Sequence, residues 1–158
     1  MTPEVSLRPM KTDDLAIVSQ LGINAKQSWG YDAGQMRVFA DQLILSREVF
    51  AGLLEAEVAC LEGEIVGYYT LRLRADGKTE LEHLFVAPKW FHQGIGSLLF
   101  KRAMRQAAQQ GVEKLTIIAD PNSSGFYEKF GAKKVGDHQS RIPNRLIPIY
   151  EIETRRQI

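Results

Sequence analysis

Gly94-Ile95-Gly96-Ser97 comes after a strand-like run that stops at Pro88 and a polar loop, and it opens what reads as a helix. The first turn of a helix has backbone N–H groups without internal partners, and glycines there let a diphosphate come close enough to accept from them. A phosphate-bearing ligand is therefore the first expectation. Two familiar phosphate motifs do not fit. A triphosphate loop ends in Gly-Lys-Ser/Thr, and no such lysine stands beside Gly96 and Ser97. A dinucleotide fingerprint places a third glycine where Leu99 stands and an acidic residue at the end of the next strand. Asp120 meets the second demand, but Leu99 and the long N-terminal preamble argue against the motif.

Glu82 falls in the strand-like run, where alternation puts Glu82, Leu84 and Val86 on one face and His83 and Phe85 on the other. A carboxylate among apolar neighbours is a better base than one in water, acting directly or through a water molecule. The alternative is an exposed carboxylate on an edge strand. His83, His92 and His138 lack metal-like pairing with Cys, Asp or Glu, so no metal is expected. His83 reads as a histidine satisfied beside the core, with a role as alternative base the other option.

These groups must be positioned by one domain. At 158 residues and 17.8 kDa, with 44% hydrophobic residues, the chain suits a single domain over residues 1–158. Twenty basic against nineteen acidic side chains leave a net charge of +1, which gives no general field for nucleic acid or an anionic membrane. Arg155-Arg156 is a small basic tail. A small-molecule partner follows. The lone Cys60 cannot form an intramolecular disulfide and reads as a packing residue. The N-terminal Met-Thr-Pro-Glu-Val has no basic-then-apolar signal pattern, and no apolar stretch reaches the roughly eighteen residues that span a bilayer. A soluble, cytoplasmic protein is expected.

Val5 to Arg8 reads as a first strand, and Thr12 as the cap of a helix with Leu15, Val18 and Leu21 on one side. A second helix starts near Asp32 and carries Met36, Phe39, Ala40 and Leu43, so that Trp29-Gly30-Tyr31 turns between two helices. From Val49 to Val86 the pattern is three antiparallel strands, broken at Gly63 and at Ala75-Asp76-Gly77-Lys78. Ile95, Leu99, Ala103 and Ala107 form the buried stripe of a helix from Gly94 to Gln110, with Gly111 as its C-cap and Lys101, Arg102 and Arg105 near solvent. Lys114 to Ala119 then pairs in parallel beside the strand ending at Val86. A short helix from Ser123 to Phe130 and two strands, Lys133 to His138 and Ile147 to Glu153, complete an α+β domain.

Three segments carry a resemblance: Leu81-Glu82-His83-Leu84-Phe85-Val86-Ala87-Pro88, Gln93-Gly94-Ile95-Gly96-Ser97-Leu98-Leu99, and Asn122-Ser123-Ser124-Gly125-Phe126-Tyr127-Glu128-Lys129-Phe130-Gly131-Ala132. In order and separation they resemble the GNAT superfamily of acyl-CoA-dependent N-acyltransferases. The resemblance implies a mixed, mostly antiparallel sheet of about seven strands, with a splayed parallel pair and helices on both faces. It implies acetyl-CoA as cosubstrate, its diphosphate on the amides of Gln93, Gly94, Ile95, Gly96 and Ser97, and its pantetheine arm running as a pseudo-strand beside Phe85 and Val86. One departure stands out: Phe91 occupies the place of the family's Arg or Gln, for which Gln93 is a partial substitute.

By the same resemblance, Glu82 is the base, Tyr127 donates to the departing thiolate, and Asn122 contacts the pantetheine; ring packing for Tyr127 and helix capping for Asn122 are the alternatives. The acceptor pocket would draw Trp29 and Tyr31 from the helical hairpin, and Arg141 and Arg145 from the loop before the last strand. The rings could hold an amine and an arginine could hold a carboxylate; stapling of the hairpin and solvation of the arginines are the alternatives. The implied activity is acetyl transfer to a primary amine of a small molecule or peptide. A non-catalytic acyl-CoA-binding or sensing module is the competing class, and pairing of sheet edges into a homodimer is left open.

Overall fold

Runs of alternating or buried apolar residues build β2 (Glu55–Leu61), β3 (Glu64–Leu73), β4 (Thr79–Val86), β5 (Lys114–Ile118) and β7 (Leu146–Glu153), while the short β1 (Ser6–Pro9) and the exposed, polar β6 (Lys133–Gln139) pair at the two sheet edges. The helices are α1 (Leu15–Gln27), α2 (Ala33–Leu43), α3 (Arg47–Ala51), α4 (Ile95–Gln109) and α5 (Ser124–Lys129). This computed structural model describes residues 4–157, the side chains of Arg156 and Gln157 excepted. Met1 to Pro3 of the N-terminal stretch and the side chain of Arg156 in the basic tail thus lie outside what is described. Among the described residues the strands form one sheet in the order β1-β2-β3-β4-β5-β7-β6, antiparallel throughout except for β4 and β5.

The sheet separates two cores. On one face α4 lays Ile95, Leu99, Phe100, Ala103, Met104 and Ala107 against Val66, Tyr69, Leu71, Leu81 and Leu115. Each large side chain buried this fully contributes about 1.5–3 kcal/mol from the area it removes from water. On the other face α1 packs Leu15, Val18 and Leu21 on Val58 and Tyr68, and α2 adds Met36, Phe39 and Leu43. Gly67 is where α4 comes closest to β3. A Cβ built there would lie 2.8 Å from Leu99 Cδ1 and 3.0 Å from the Phe85 carbonyl oxygen, so a side chain would push helix from sheet.

Four local expectations are corrected. Residues from Val49 to Leu54 do not start a strand: Ser46 Oγ accepts from the Val49 amide at 3.1 Å and opens α3. Thr12 lies in a 3₁₀ turn rather than capping α1. Asp14 holds the N-cap position of α1 without a side-chain cap bond; its carboxylate turns back to accept from the Lys11 amide at 2.8 Å and to pair with Arg8. Arg102 is not simply solvated, because it forks onto Glu57 at 2.8 and 3.2 Å, and Glu57, only 2% exposed, also accepts from Tyr69 Oη at 2.5 Å. A buried carboxylate needs such partners, and Arg102 brings the cation from α4. The alternation along β4 fails at one residue. Thr70 is opposite His83 and Leu71 opposite Leu81, which leaves Glu82 as the extra residue of a β-bulge.

Candidate active site

β4 and β5 pair only through Thr79↔Leu115 and Glu80↔Thr116. Beyond Glu80, β4 continues to Val86 without a partner on that side, so the sheet opens into a gap. Two cavities occupy it. The first, of about 530 Å³, is lined by Leu84, Phe85, Val86, Gly94, Ile95, Gly96, Ser97, Asn122 and Tyr127 among others. The second, of about 510 Å³, is lined by Glu82, His83, Asp120, Lys26 and Arg141 among others. Trp29, Leu84, Phe85, Ser123 and Tyr127 border both, and so form the wall between them.

The first cavity has a helix mouth for a floor. Gly94 precedes α4 with φ 82, a left-handed conformation that glycine adopts without strain, and no side chain caps the helix. The first intrahelical bond arrives only at Leu98, whose amide reaches the Gly94 carbonyl at 3.1 Å, so the amides of Ile95, Gly96 and Ser97 are available to an anion. Trp90 Nε1 is buried in the same wall without a hydrogen-bond partner, a donor that a polar ligand would satisfy. Gln93 is exposed and takes no part in this wall, whereas Lys129 and His92 do. The place of the family's Arg or Gln is filled by the half-buried Phe91 ring, 6.3 Å from His92.

The second cavity is ionic where an apolar setting for Glu82 is expected. The bulge turns Glu82 away from Leu84 and Val86, which pack under α4, and onto Arg72, whose Nε lies 2.5 Å from Oε2. His83 Nδ1 is 3.6 Å from the other oxygen. His83 is satisfied elsewhere: its Nε2 donates to the Gln42 carbonyl at 3.3 Å, which leaves Nδ1 to accept from Thr70 Oγ1 at 2.8 Å. Burial pushes its pKa down to about 4, so the ring is neutral at physiological pH, as a satisfied core histidine should be.

Tyr127 is buried in the wall against Phe100 and Phe126, and burial raises its pKa above the ordinary phenol value. Its hydroxyl has no hydrogen-bond partner among the described residues, so it remains a protonated donor at every working pH. Asn122 is already engaged. Its amide nitrogen Nδ2 donates to Asp120 Oδ1 at 2.8 Å and to Tyr31 Oη at 3.2 Å, and its backbone N–H also reaches Asp120.

Asp120 is the site residue that sequence reasoning misses. Tyr31 Oη donates to it at 2.7 Å, Lys26 Nζ is 3.0 Å away and Arg145 Nη2 3.5 Å. Arg145 also donates to Tyr31 Oη at 2.8 Å and lies over the Tyr31 and Phe39 rings. Tyr31 and Arg145 therefore stand behind Asp120 as a brace between the helical hairpin and the last loop, and Arg145 is not solvated. Burial alone would raise the Asp120 pKa, but Lys26, the Asn122 amide and Tyr31 overcome it and hold the carboxyl below its usual range. Burial lowers that of Lys26, with Asp120 opposing. A signal for Lys26 does exist: Gly22, Ala25 and Lys26 share one face of α1, and Gly22 admits Tyr68 and Phe85. Arg141 and Trp29 reach the second cavity directly. Among the described residues no group of three or more His, Cys, Asp or Glu is placed to hold a metal, and no helix is long and apolar enough to cross a membrane.

Comparison with known proteins agrees with this geometry. The family model for the acetyltransferase (GNAT) domain matches residues 31–149. Among solved structures, a GCN5-related N-acetyltransferase from Rhodopseudomonas palustris superposes with a TM-score of 0.78 at 20% identity, over 97% of this chain and 98% of that one. The PaiA N-acetyltransferase of Thermoplasma acidophilum, in complex with coenzyme A, gives 0.76 at 18% identity over 95% and 99%. A GNAT family acetyltransferase from Elizabethkingia anophelis with acetyl-CoA bound gives 0.69 at 20% over 94% and 97%. At such identities the structures share a fold, and the match to the domain model carries the assignment: this chain belongs to the GNAT acetyltransferase family.

Proposed function

We propose that the protein is an N-acetyltransferase that moves an acetyl group from acetyl-CoA to a primary amine of a small molecule or peptide by direct attack. The observation that supports this most is the shared wall: a cavity with a helix mouth for phosphate and a cavity with charged side chains meet at Tyr127, Leu84 and Phe85. Relatives of the same fold with coenzyme A or acetyl-CoA bound support the cosubstrate. Free amides at α4, the uncapped Gly94 and the unpartnered Trp90 Nε1 fit a diphosphate with an amide-bearing arm.

Acetyl-CoA supplies the acyl group and a thiolate leaving group; the chain supplies the rest. The amides of Ile95, Gly96 and Ser97 hold the diphosphate, joined in this reading by the Gln93 and Gly94 amides of the same loop. The unpaired edge of β4 at Phe85 and Val86 aligns the arm, and Asn122 borders it. Tyr127 Oη delivers its proton to the sulfur, and Glu82 takes the proton of the attacking amine directly or through water. Trp29 and Arg141 face the acceptor, with Tyr31 and Arg145 fixing Asp120 behind it.

A second reading, a non-catalytic acyl-CoA-binding or sensing module, draws support from Arg72, which already occupies Glu82. A thiol-release assay over a panel of amines separates the two. Turnover that falls in Tyr127→Phe and Glu82→Gln while coenzyme A binding persists supports the enzyme. Binding without turnover of any amine supports the sensor.

A further inference from the structure

The charges of the second cavity do not cancel. Four cations, Lys26, Arg72, Arg74 and Arg141, line it against three carboxylates, Glu80, Glu82 and Asp120. Every one of these carboxylates is already matched. Arg72 holds Glu80 at 2.8 Å and Glu82 at 2.5 Å, Arg74 stands 3.9 Å from Glu80, and Lys26 and Arg145 both hold Asp120. His83 adds no charge, being neutral. Arg141 alone of the four cations has no ion-pair partner among the described residues.

Arg141 is also presented on ordered backbone. The Ser140 amide donates to the Arg145 carbonyl at 2.9 Å, the Arg145 amide to the Ile142 carbonyl at 3.2 Å, and the Ile142 amide to Ser140 Oγ at 3.0 Å. Gln139 Nε2 bonds the carbonyls of Ser140 and Ile142 from outside. The loop is closed on itself by its own hydrogen bonds, so little ordering is needed when a ligand meets the guanidinium. Trp29, Leu43, Phe85 and Ile147 give the cavity an apolar side, beside the polar Gln42, Ser123 and His138.

We infer that the acceptor is a small primary amine that itself carries a carboxylate, and that Arg141 receives that carboxylate while an apolar or aromatic body lies against Trp29 and Phe85. This rests on the acetyltransferase reading of the same site. A guanidinium fork matches a carboxylate in geometry as well as charge. A polycationic acceptor, by contrast, finds no unmatched carboxylate in the cavity and meets one unmatched cation.

The test is acetylation of matched pairs by the purified protein: phenylalanine against phenethylamine and against its methyl ester, with spermidine as the polycation. The carboxylated member is expected to have the higher kcat/KM by on the order of tenfold or more, the scale of one charged hydrogen bond. Arg141→Gln should bring the ratio within each pair toward one, with coenzyme A affinity by calorimetry unchanged. Equal or better turnover of phenethylamine or spermidine overturns the inference and leaves the acetyltransferase standing. If no amine is turned over, titration of phenylalanine into the protein saturated with coenzyme A decides: absence of saturable binding, or binding indifferent to Arg141→Gln, overturns it as well.

Discussion

Arg72 on β3 spans the bulge of β4, bonding Glu80 opposite it and reaching Glu82 one bulge further on at 2.5 Å. The bulge and the arginine together aim the Glu82 carboxylate into the second cavity, where a regular strand would have sent it under α4 with Leu84. A carboxylate placed by a register irregularity is sensitive to anything that restores the register.

Glu82→Gln keeps the shape of the side chain and removes the proton acceptor. A fall in kcat of about 10²-fold or more is expected, in the range of general-base contributions, with coenzyme A affinity intact. Thermal stability should change little, because the Arg72–Glu82 pair is partly exposed and such pairs contribute about 1 kcal/mol at most. Unchanged steady-state kcat on a competent amine would remove Glu82 from the mechanism.

Gly67→Ala tests the approach of α4 to the sheet. The new methyl meets Leu99 Cδ1 at 2.8 Å and the Phe85 carbonyl at 3.0 Å, the second of which is backbone and cannot turn aside. Overpacking of this kind costs about 1–3 kcal/mol. Urea denaturation should show that loss, and the displaced helix mouth should weaken coenzyme A binding in parallel.

Asp120→Asn leaves Lys26 and Arg145 facing an uncharged amide in a site where the Asp120 side chain is only 6% exposed. Breaking one partner of a buried ionic group typically costs about 3–5 kcal/mol. A drop of that order in the unfolding free energy extrapolated from urea denaturation is expected, and a near-neutral result would show that the brace has no structural role.

His83 gives the protein a pH signature. Its folded pKa of about 4 lies below the ordinary 6.5, so the unfolded chain binds the extra proton first as pH falls. The stability it contributes is complete above pH 6.5 and is lost between there and pH 4, by about 3 kcal/mol in all. Asp14 and Asp120, held below 3.8, act only at lower pH, so the windows separate. Stability measured at pH 7 and pH 4.5 should diverge less in His83→Gln than in wild type; equal divergence would refute the assignment.

Element order, α3 apart, and the three helix-forming stripes are legible from residues alone, because glycines punctuate the turns and apolar periodicity is local. The Gly94 mouth is legible for the same reason. The short helix α3 is hidden because Val49 and Phe50 read as strand, and the Ser46 cap that opens it shows only in the structure. What stays hidden is long-range. No local pattern announces that Glu82 is the skipped residue opposite β3, or that Asp120 gathers Lys26, Tyr31 and Arg145 from two other parts of the chain. The pairing of Arg102 with Glu57 is hidden likewise, since an arginine on an exposed-looking helix face gives no sign of a carboxylate buried across from it.

Because a seam of two residue pairs is all that joins β4 to β5, the sheet behaves as two panels: β1 to β4 on one side, β5 to β7 on the other. A molecule lodged past the end of that seam becomes a clasp between them. Occupancy should then be felt far from the ligand, as slower amide-proton exchange along the free margins of β4 and β5, and the panels would be expected to part there first when the empty protein is heated.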